Sequence, residues 1–192
     1  IHKKTRVGAI VMNCNPFTLG HQYLIEYASK QVDVLYIFIV EEDKSVFKFV
    51  ERKEMVILGT AHLDNVKVLD SGRFIISSTT FSEYFEKSNI QGVTIDPSLD
   101  IETFAEHIAP ILDISVRFVG TEPHDLITKQ YNESMKRILP KYGIELIEVP
   151  RKEHENKAIS ASRVRDYMSN GEWGELSEIV PKTTYDYLYA KY

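Results

Sequence analysis

Residues 7–12, Val-Gly-Ala-Ile-Val-Met, form an unbroken apolar run of the length of a strand buried on both faces. The run stops at a polar stretch, Asn13-Cys14-Asn15-Pro16. Behind Thr18-Leu19-Gly20-His21, the apolar residues Leu24, Ile25 and Ala28 then recur at helical spacing. A strand buried on both faces needs helices on both sides of its sheet. This transition therefore points to a parallel α/β arrangement.

The rest of the chain repeats the pattern. Strands are expected at Arg6–Met12, Val34–Val40, Val66–Leu69, Val93–Ile95, Ser115–Val119 and Ile144–Val149. Helices are expected at Gly20–Lys30, Glu51–Ala61, Ile101–Leu112, Ile127–Leu139 and Thr183–Ala190, with a charged loop over Arg151–Lys157. The segment Asp70–Phe85 mixes small polar residues with aromatics and fits neither period. With right-handed crossovers, the alternation predicts a Rossmann-like, doubly wound parallel sheet with a helical C-terminal segment, about 159–192. No repeat, low-complexity tract or Gly/Ser-rich linker interrupts the 192 residues, so one domain is expected.

Composition narrows the function. A formal charge of −5 argues against general nucleic-acid binding, so an anionic ligand would need a local cluster of Lys, Arg and backbone N–H groups. Cys14 is the only cysteine, which excludes an intrachain disulfide or a cysteine-based zinc site. That usage, the lack of a signal peptide and the lack of a membrane-length apolar run fit the cytoplasm. The six histidines show no metal-binding spacing, and no protein ligand set for a metal stands out.

In a doubly wound sheet, ligands sit outside the carboxyl ends of the strands, where the opening loop lies. The helix that follows offers free N–H groups and a favourable dipole to an anion. Gly20 lets phosphates approach the backbone, Thr18 supplies a hydroxyl, and His21 can reach back from the first turn. The competing reading makes Thr18 only a helix cap and His21 a surface residue. Neither G-x-G-x-x-G nor a P-loop is present. Asn13 and Asn15 flank Pro16 in the same loop and are candidate nucleotide contacts, with Cys14 as a small filler. A second stretch, Ile159-Ser160-Ala161-Ser162-Arg163-Val164-Arg165, sets two serine hydroxyls and Arg165 at another helix start, a pattern suited to phosphate oxygens. A Ser cap with a solvated Arg is the alternative.

Together the two stretches resemble the signatures T/H-x-G-H and I-S-x-S/T-x-x-R of the nucleotidyltransferase superfamily. Over more of the chain, "MNCNPFTLGHQYLIEYAS", "IFIVEEDKSVFKFVERKEMV", "GRFIISSTTFSEYF" and "VGTEPHD" resemble the C-terminal domain of the citrate lyase ligase family. That resemblance implies an ATP-dependent ligase that adenylates acetate. It would acetylate the thiol of a CoA-like prosthetic group on the acyl carrier subunit of citrate lyase, releasing AMP and pyrophosphate. The family's N-terminal acetyltransferase-like domain is expected to be absent, in keeping with a start at Ile1.

By the same resemblance His21, aided by Thr18, steadies the α-phosphate, and Ser160, Ser162 and Arg165 hold the β- and γ-phosphates. Asn13, Asn15, Phe17, Gly20 and Ile159 complete the ATP set, and the loop Gly120-Thr121-Glu122 touches adenine or ribose. Asp125 either joins that loop or caps the next helix. Arg163 stands where the signature leaves the position free. Lys44, and less directly Arg52, would face the acceptor carboxylate, unless Glu41–Lys44 is simply a solvated charged turn. Mg²⁺ is expected with the triphosphate on general grounds. Phe74, Phe81, Tyr84 and Phe85 could line a pantetheine pocket or pack the core. Two other readings remain open. One is a nucleotidyltransferase that moves AMP or CMP onto a phosphomonoester, and the other is a nucleotide-binding module without chemistry.

Overall fold

A computed structural model describes residues 3–41, 44–70, 72, 96–122 and 124–192. Among the described residues, five strands form one parallel sheet: β1 (Val7–Met12), β2 (Val34–Ile39), β3 (Val66–Asp70), β4 (Val116–Gly120) and β5 (Glu145–Val149). Their order is β3-β2-β1-β4-β5. The chain first winds outward from β1 to β3 and then returns to β4 on the other side of β1. The reversal between β1 and β4 creates the crevice in which such sheets hold ligands. The expected Rossmann-like, doubly wound architecture is therefore the observed one. The expected strand Val93–Ile95 and the aromatic set Phe74, Phe81, Tyr84 and Phe85 lie outside the described residues.

Each face of the sheet has its own core. Ile10, Ile25, Ile37, Phe118 and Val164 pack on one face, beneath α1 (Leu19–Ser29), α2 (Phe49–Thr60) and the C-terminal helices. Ala9, Phe38, Phe104, Tyr131 and Met135 pack on the other. That second face is covered by α3 (Ser98–Thr103), which continues as a π-helical turn over Phe104–Ile108, and by α4 (Leu126–Ile138). The expected single helix Ile101–Leu112 thus starts three residues earlier and changes its hydrogen-bond pattern midway. The cause of the change is not visible in the residue pattern.

Helix α2 begins at Phe49 rather than Glu51, because the Glu51 carboxylate accepts the Lys48 backbone N–H at 3.0 Å and pins the first turn. The expected loop over Arg151–Lys157 contains a small hairpin, β6 (Glu153–His154) and β7 (Lys157–Ala158). Glu155 and Asn156 turn it with φ of 53° and 57°.

The C-terminal segment folds as α5 (Ala161–Ser169), α6 (Trp173–Ser177) and α7 (Lys182–Lys191). It packs back against helices α1 and α2. Leu19 N–H donates to the Ile179 carbonyl at 3.0 Å, and the Tyr192 hydroxyl donates to Glu51 at 2.9 Å. The second signature is thereby anchored to the elements that carry the first. Among the described residues, no helix is long and apolar enough to cross a membrane.

Candidate active site

A cleft of about 1080 Å³ opens along the carboxyl ends of β1 and β4. Asn13, Asn15, Thr18, Gly20 and His21 line it from the β1–α1 connection, and Lys44 lines it from beyond β2. Gly120, Thr121 and Glu122 line it from the end of β4. Ile159, Ser160, Ser162 and Arg165 close it from the start of α5. Two segments far apart in the chain therefore share one wall. The joint is explicit: Arg165 Nη1 donates to the Asn15 carbonyl at 2.6 Å across a separation of 150 residues.

The first turn of α1 sets the state of His21. Thr18 caps the helix, accepting the His21 backbone N–H on Oγ1 at 3.3 Å, and the Thr18 backbone N–H donates to His21 Nδ1 at 3.0 Å. A nitrogen that accepts a backbone N–H carries no proton, so the neutral ring keeps its proton on Nε2. Burial, and then the charge of Arg151, push the imidazole down to about 4. At neutral pH the ring is therefore a neutral hydrogen-bond donor of defined tautomer. The Phe17 ring stacks on it at 5.9 Å and 14°. Gly20 leaves room beside this turn, since a Cβ there would lie 3.3 Å from the Ile159 carbonyl.

Three expected roles change. Thr18 is only 1% exposed and its hydroxyl is spent on His21, lying 3.0 Å from Nδ1. It positions the imidazole instead of reaching an anion. Phe17 is fully buried, with its ring in the core against Gly59, and backs His21 from behind without lining the cleft. Arg52 is also fully buried. Its Nε donates to the Phe47 carbonyl at 3.0 Å, and its Nη1 donates to the Asn13 and Val40 carbonyls at 2.9 and 2.8 Å. A guanidinium committed to backbone carbonyls this way braces the opening loop and does not face an acceptor.

Several other groups are also committed. Glu122 Oε1 accepts the backbone N–H groups of His124 and Asp125, both at 2.9 Å, so its carboxylate holds the loop in shape. Asp125 caps α4 by accepting from Ile127 and Thr128 N–H. Asn13 Nδ2 donates to Ser45 Oγ at 3.2 Å, and Asn15 Oδ1 accepts the Phe47 N–H at 2.9 Å. Ser160 caps α5, with its hydroxyl 3.0 Å from that of Ser162, which is exposed to the cleft. Arg163 points away, to the carbonyls of His154, Lys157 and Ala158 in the hairpin. Cys14 is buried in a left-handed conformation, φ 54°, and burial pushes its thiol up, so it is inert filler. Among the described residues, no group of three His, Cys, Asp or Glu side chains could hold a metal ion.

Arg151 was not anticipated. It lines the cleft two residues beyond β5 and bonds both Glu122 and Ile159. Its position at the carboxyl end of a strand, after Val149-Pro150, was the one available signal.

Residues 7–188 match the family described as the citrate lyase ligase C-terminal domain. The chain belongs to this family. Relatives named [citrate [pro-3S]-lyase] ligase are 45% identical over 190 residues in Haemophilus influenzae and 41% over 189 residues in Klebsiella pneumoniae. Each match covers 95% of this chain but only 56% and 55% of the relative. The chain spans about half the length of the curated relatives it matches. A phosphopantetheine adenylyltransferase of Streptococcus gordonii is 32% identical over 99 residues, covering 50% of this chain and 60% of that protein. Among solved structures, Thermotoga maritima TmcAL bound with alpha-thio ATP superposes with a TM-score of 0.57 at 15% identity, over 97% of this chain and 55% of that one. A Vibrio parahaemolyticus protein described as a putative nicotinate-nucleotide adenylyltransferase gives 0.57 at 16%, over 96% and 99%. At such identities these structures speak for the fold.

Proposed function

We propose that the cleft binds ATP and catalyses adenylation of acetate, and that the acetyl group then passes to the thiol of a CoA-like prosthetic group on the citrate lyase acyl carrier subunit. A carboxylate oxygen of acetate attacks the α-phosphorus of ATP. The bond from that phosphorus to the bridging oxygen breaks, and pyrophosphate leaves with the electron pair. The thiolate then attacks the acyl carbon and AMP departs.

No side-chain nucleophile is needed, and catalysis is positioning and charge stabilisation. His21 Nε2–H supplies a neutral donor for the α-phosphate, Gly20 and the α1 N-terminus complete that contact, and Ser160, Ser162 and Arg165 hold the pyrophosphate end. Lys44 stands at the cleft edge for the carboxylate. Mg²⁺ would arrive on the triphosphate with several waters, since no protein ligand cluster is present among the described residues.

The observation that carries this reading is the Arg165–Asn15 contact, which sets both signatures around one cavity under His21. The names of the relatives support a ligase that acts on citrate lyase, and the TmcAL complex supports ATP as the nucleotide. We also place the protein in the cytoplasm, in keeping with a single, buried cysteine. Labelled pyrophosphate should exchange into ATP only when acetate is present. Exchange that requires a phosphomonoester instead would favour the nucleotidyl-transfer reading, to which the adenylyltransferase match lends weight.

A further inference from the structure

Arg151 has no role in either signature, yet its guanidinium joins two walls of the cleft. Nη1 donates to Glu122 Oε2 at 2.8 Å, and Nη2 donates to the Ile159 carbonyl at 3.1 Å. Glu122 is itself immobilised by the two backbone N–H groups on its other oxygen, and its side chain is only 11% exposed. The backbone holds Ile159 as well, because its N–H donates to the Lys152 carbonyl at 3.0 Å. The Ile159 carbonyl is the atom that a Cβ on Gly20 would approach to 3.3 Å. A chain of hydrogen bonds thus runs from the β4 loop through Glu122 and Arg151 to Ile159, whose carbonyl lies beside the turn that carries His21.

We propose that Arg151 is a positioning residue for the nucleotide. Braced by Glu122, it sets the register in which Ile159–Ser162 is presented to the first turn of α1, and so the distance between the serine hydroxyls and the imidazole. The inference rests on the ATP-binding reading of the cleft. A simple structural pair would make a different pattern. Among the described residues, the backbone atom that the Arg151 guanidinium bonds is the Ile159 carbonyl, where the signature begins; the hairpin carbonyls are held separately by Arg163.

Lysine is a poor substitute here. One ammonium cannot span a carboxylate and a carbonyl with the geometry of the guanidinium fork. The charge also bears on His21, which shares the cleft with Lys44, Arg117, Arg165, Lys152 and Lys157 as cations, with Glu122, Asp125 and Glu153 as anions, and with His124, Tyr23 and Tyr131. Loss of one cation from that set favours protonation of the ring.

The test compares wild type, Arg151→Gln, Arg151→Lys, Glu122→Gln and the Glu122→Gln/Arg151→Gln double variant, with binding of a non-hydrolysable ATP analogue measured by calorimetry. Arg151→Gln should raise Kd about tenfold, the size of losing one charge-assisted hydrogen bond. The double variant should be no worse than the more affected single, because the two residues act as one unit. Arg151→Lys should recover little of the loss. In Arg151→Gln the His21 ring should also titrate above its wild-type value by NMR, whereas in Arg151→Lys, which keeps the charge but not the fork, it should stay near wild type; a loosening of the packing would raise it in both. Wild-type affinity in a folded Arg151→Gln variant, or additive effects of the two substitutions, would overturn the proposal. If the wild type fails to bind the analogue, the nucleotide reading itself falls, and the positioning role of Arg151 with it.

Discussion

Two arginines clasp the opening loop from opposite sides, and they end in different roles. Arg52, from α2, gives its N–H groups to the carbonyls of Asn13, Val40 and Phe47 and is shut away from water. Arg165, from α5, gives one N–H to the Asn15 carbonyl and otherwise borders the cleft, half-buried. The side chain and the kind of contact are the same. The difference is how many donors remain for a ligand once the protein has taken its share. On the α2 side the guanidinium is a brace that replaces missing backbone partners. On the α5 side it is a bridge with donors to spare.

That contrast can be broken by experiment. The largest effect should come from Arg52→Ala, which leaves several buried carbonyls unpaired and a cavity beside them. Stability should fall by about 3–5 kcal/mol, since each buried carbonyl left unpaired costs about 1–3 kcal/mol. This should appear as a drop in Tm of roughly 10 °C. If Arg52→Ala were instead fully stable but deficient in ATP binding, the two arginines would not differ as described.

Next in size, His21→Ala should slow acetate-dependent pyrophosphate exchange about a hundredfold or more, as for loss of one donor to developing charge. Circular dichroism and Tm should remain near wild type. Undiminished exchange would remove the imidazole from the chemistry.

Arg165→Ala should cost less and act elsewhere. It should weaken ATP binding by about 1.5–3 kcal/mol, the range for hydrogen bonds to a charged group, with a much smaller change in Tm than Arg52→Ala. A large fall in stability without a change in affinity would make it a second brace.

The smallest effect concerns pH. The folded protein holds His21 near 4, below the ordinary value of 6.5, so the unfolded chain takes up a proton that the folded one refuses. Stability should therefore fall as pH drops from about 6.5 towards 4 and level off below, and His21→Gln should flatten that slope. Because the ring borders an open cleft, the slope should be shallow. An identical pH profile in the variant would show that the ring is not held neutral.

Much of the architecture is legible in the residues because it follows from periodicity. Apolar runs such as Val7–Met12 and Val34–Ile39 have no stable place except inside a helix-covered sheet, and helix starts such as Thr18 and Ser160 carry their own caps. Boundaries were less legible where a side chain moved them, as Glu51 did for α2. The hairpin at Glu153–Ala158 was hidden among charges, with no alternation to mark strands of two residues. Within the cleft, short motifs identified His21, Ser160, Ser162 and Arg165 as neighbours, and the geometry brings them together. Arg52, expected to face the acceptor carboxylate, was misplaced because its carbonyl partners lie elsewhere in the chain and no motif marks them.

The amino-acid order alone determined the layer architecture and the polarity of the cleft, since both depend on local pattern and on the direction of each strand. Only the tertiary structure decided which donors and acceptors are left for a ligand. Thr18, Glu122 and Arg52 spend theirs on partners that lie nearby in the fold, some of them far away in the chain, and Arg151 gains its place only where β4, β5 and the second signature converge. A hydrogen bond is satisfied by whatever atom is close in space, and closeness in space is what a linear sequence does not display.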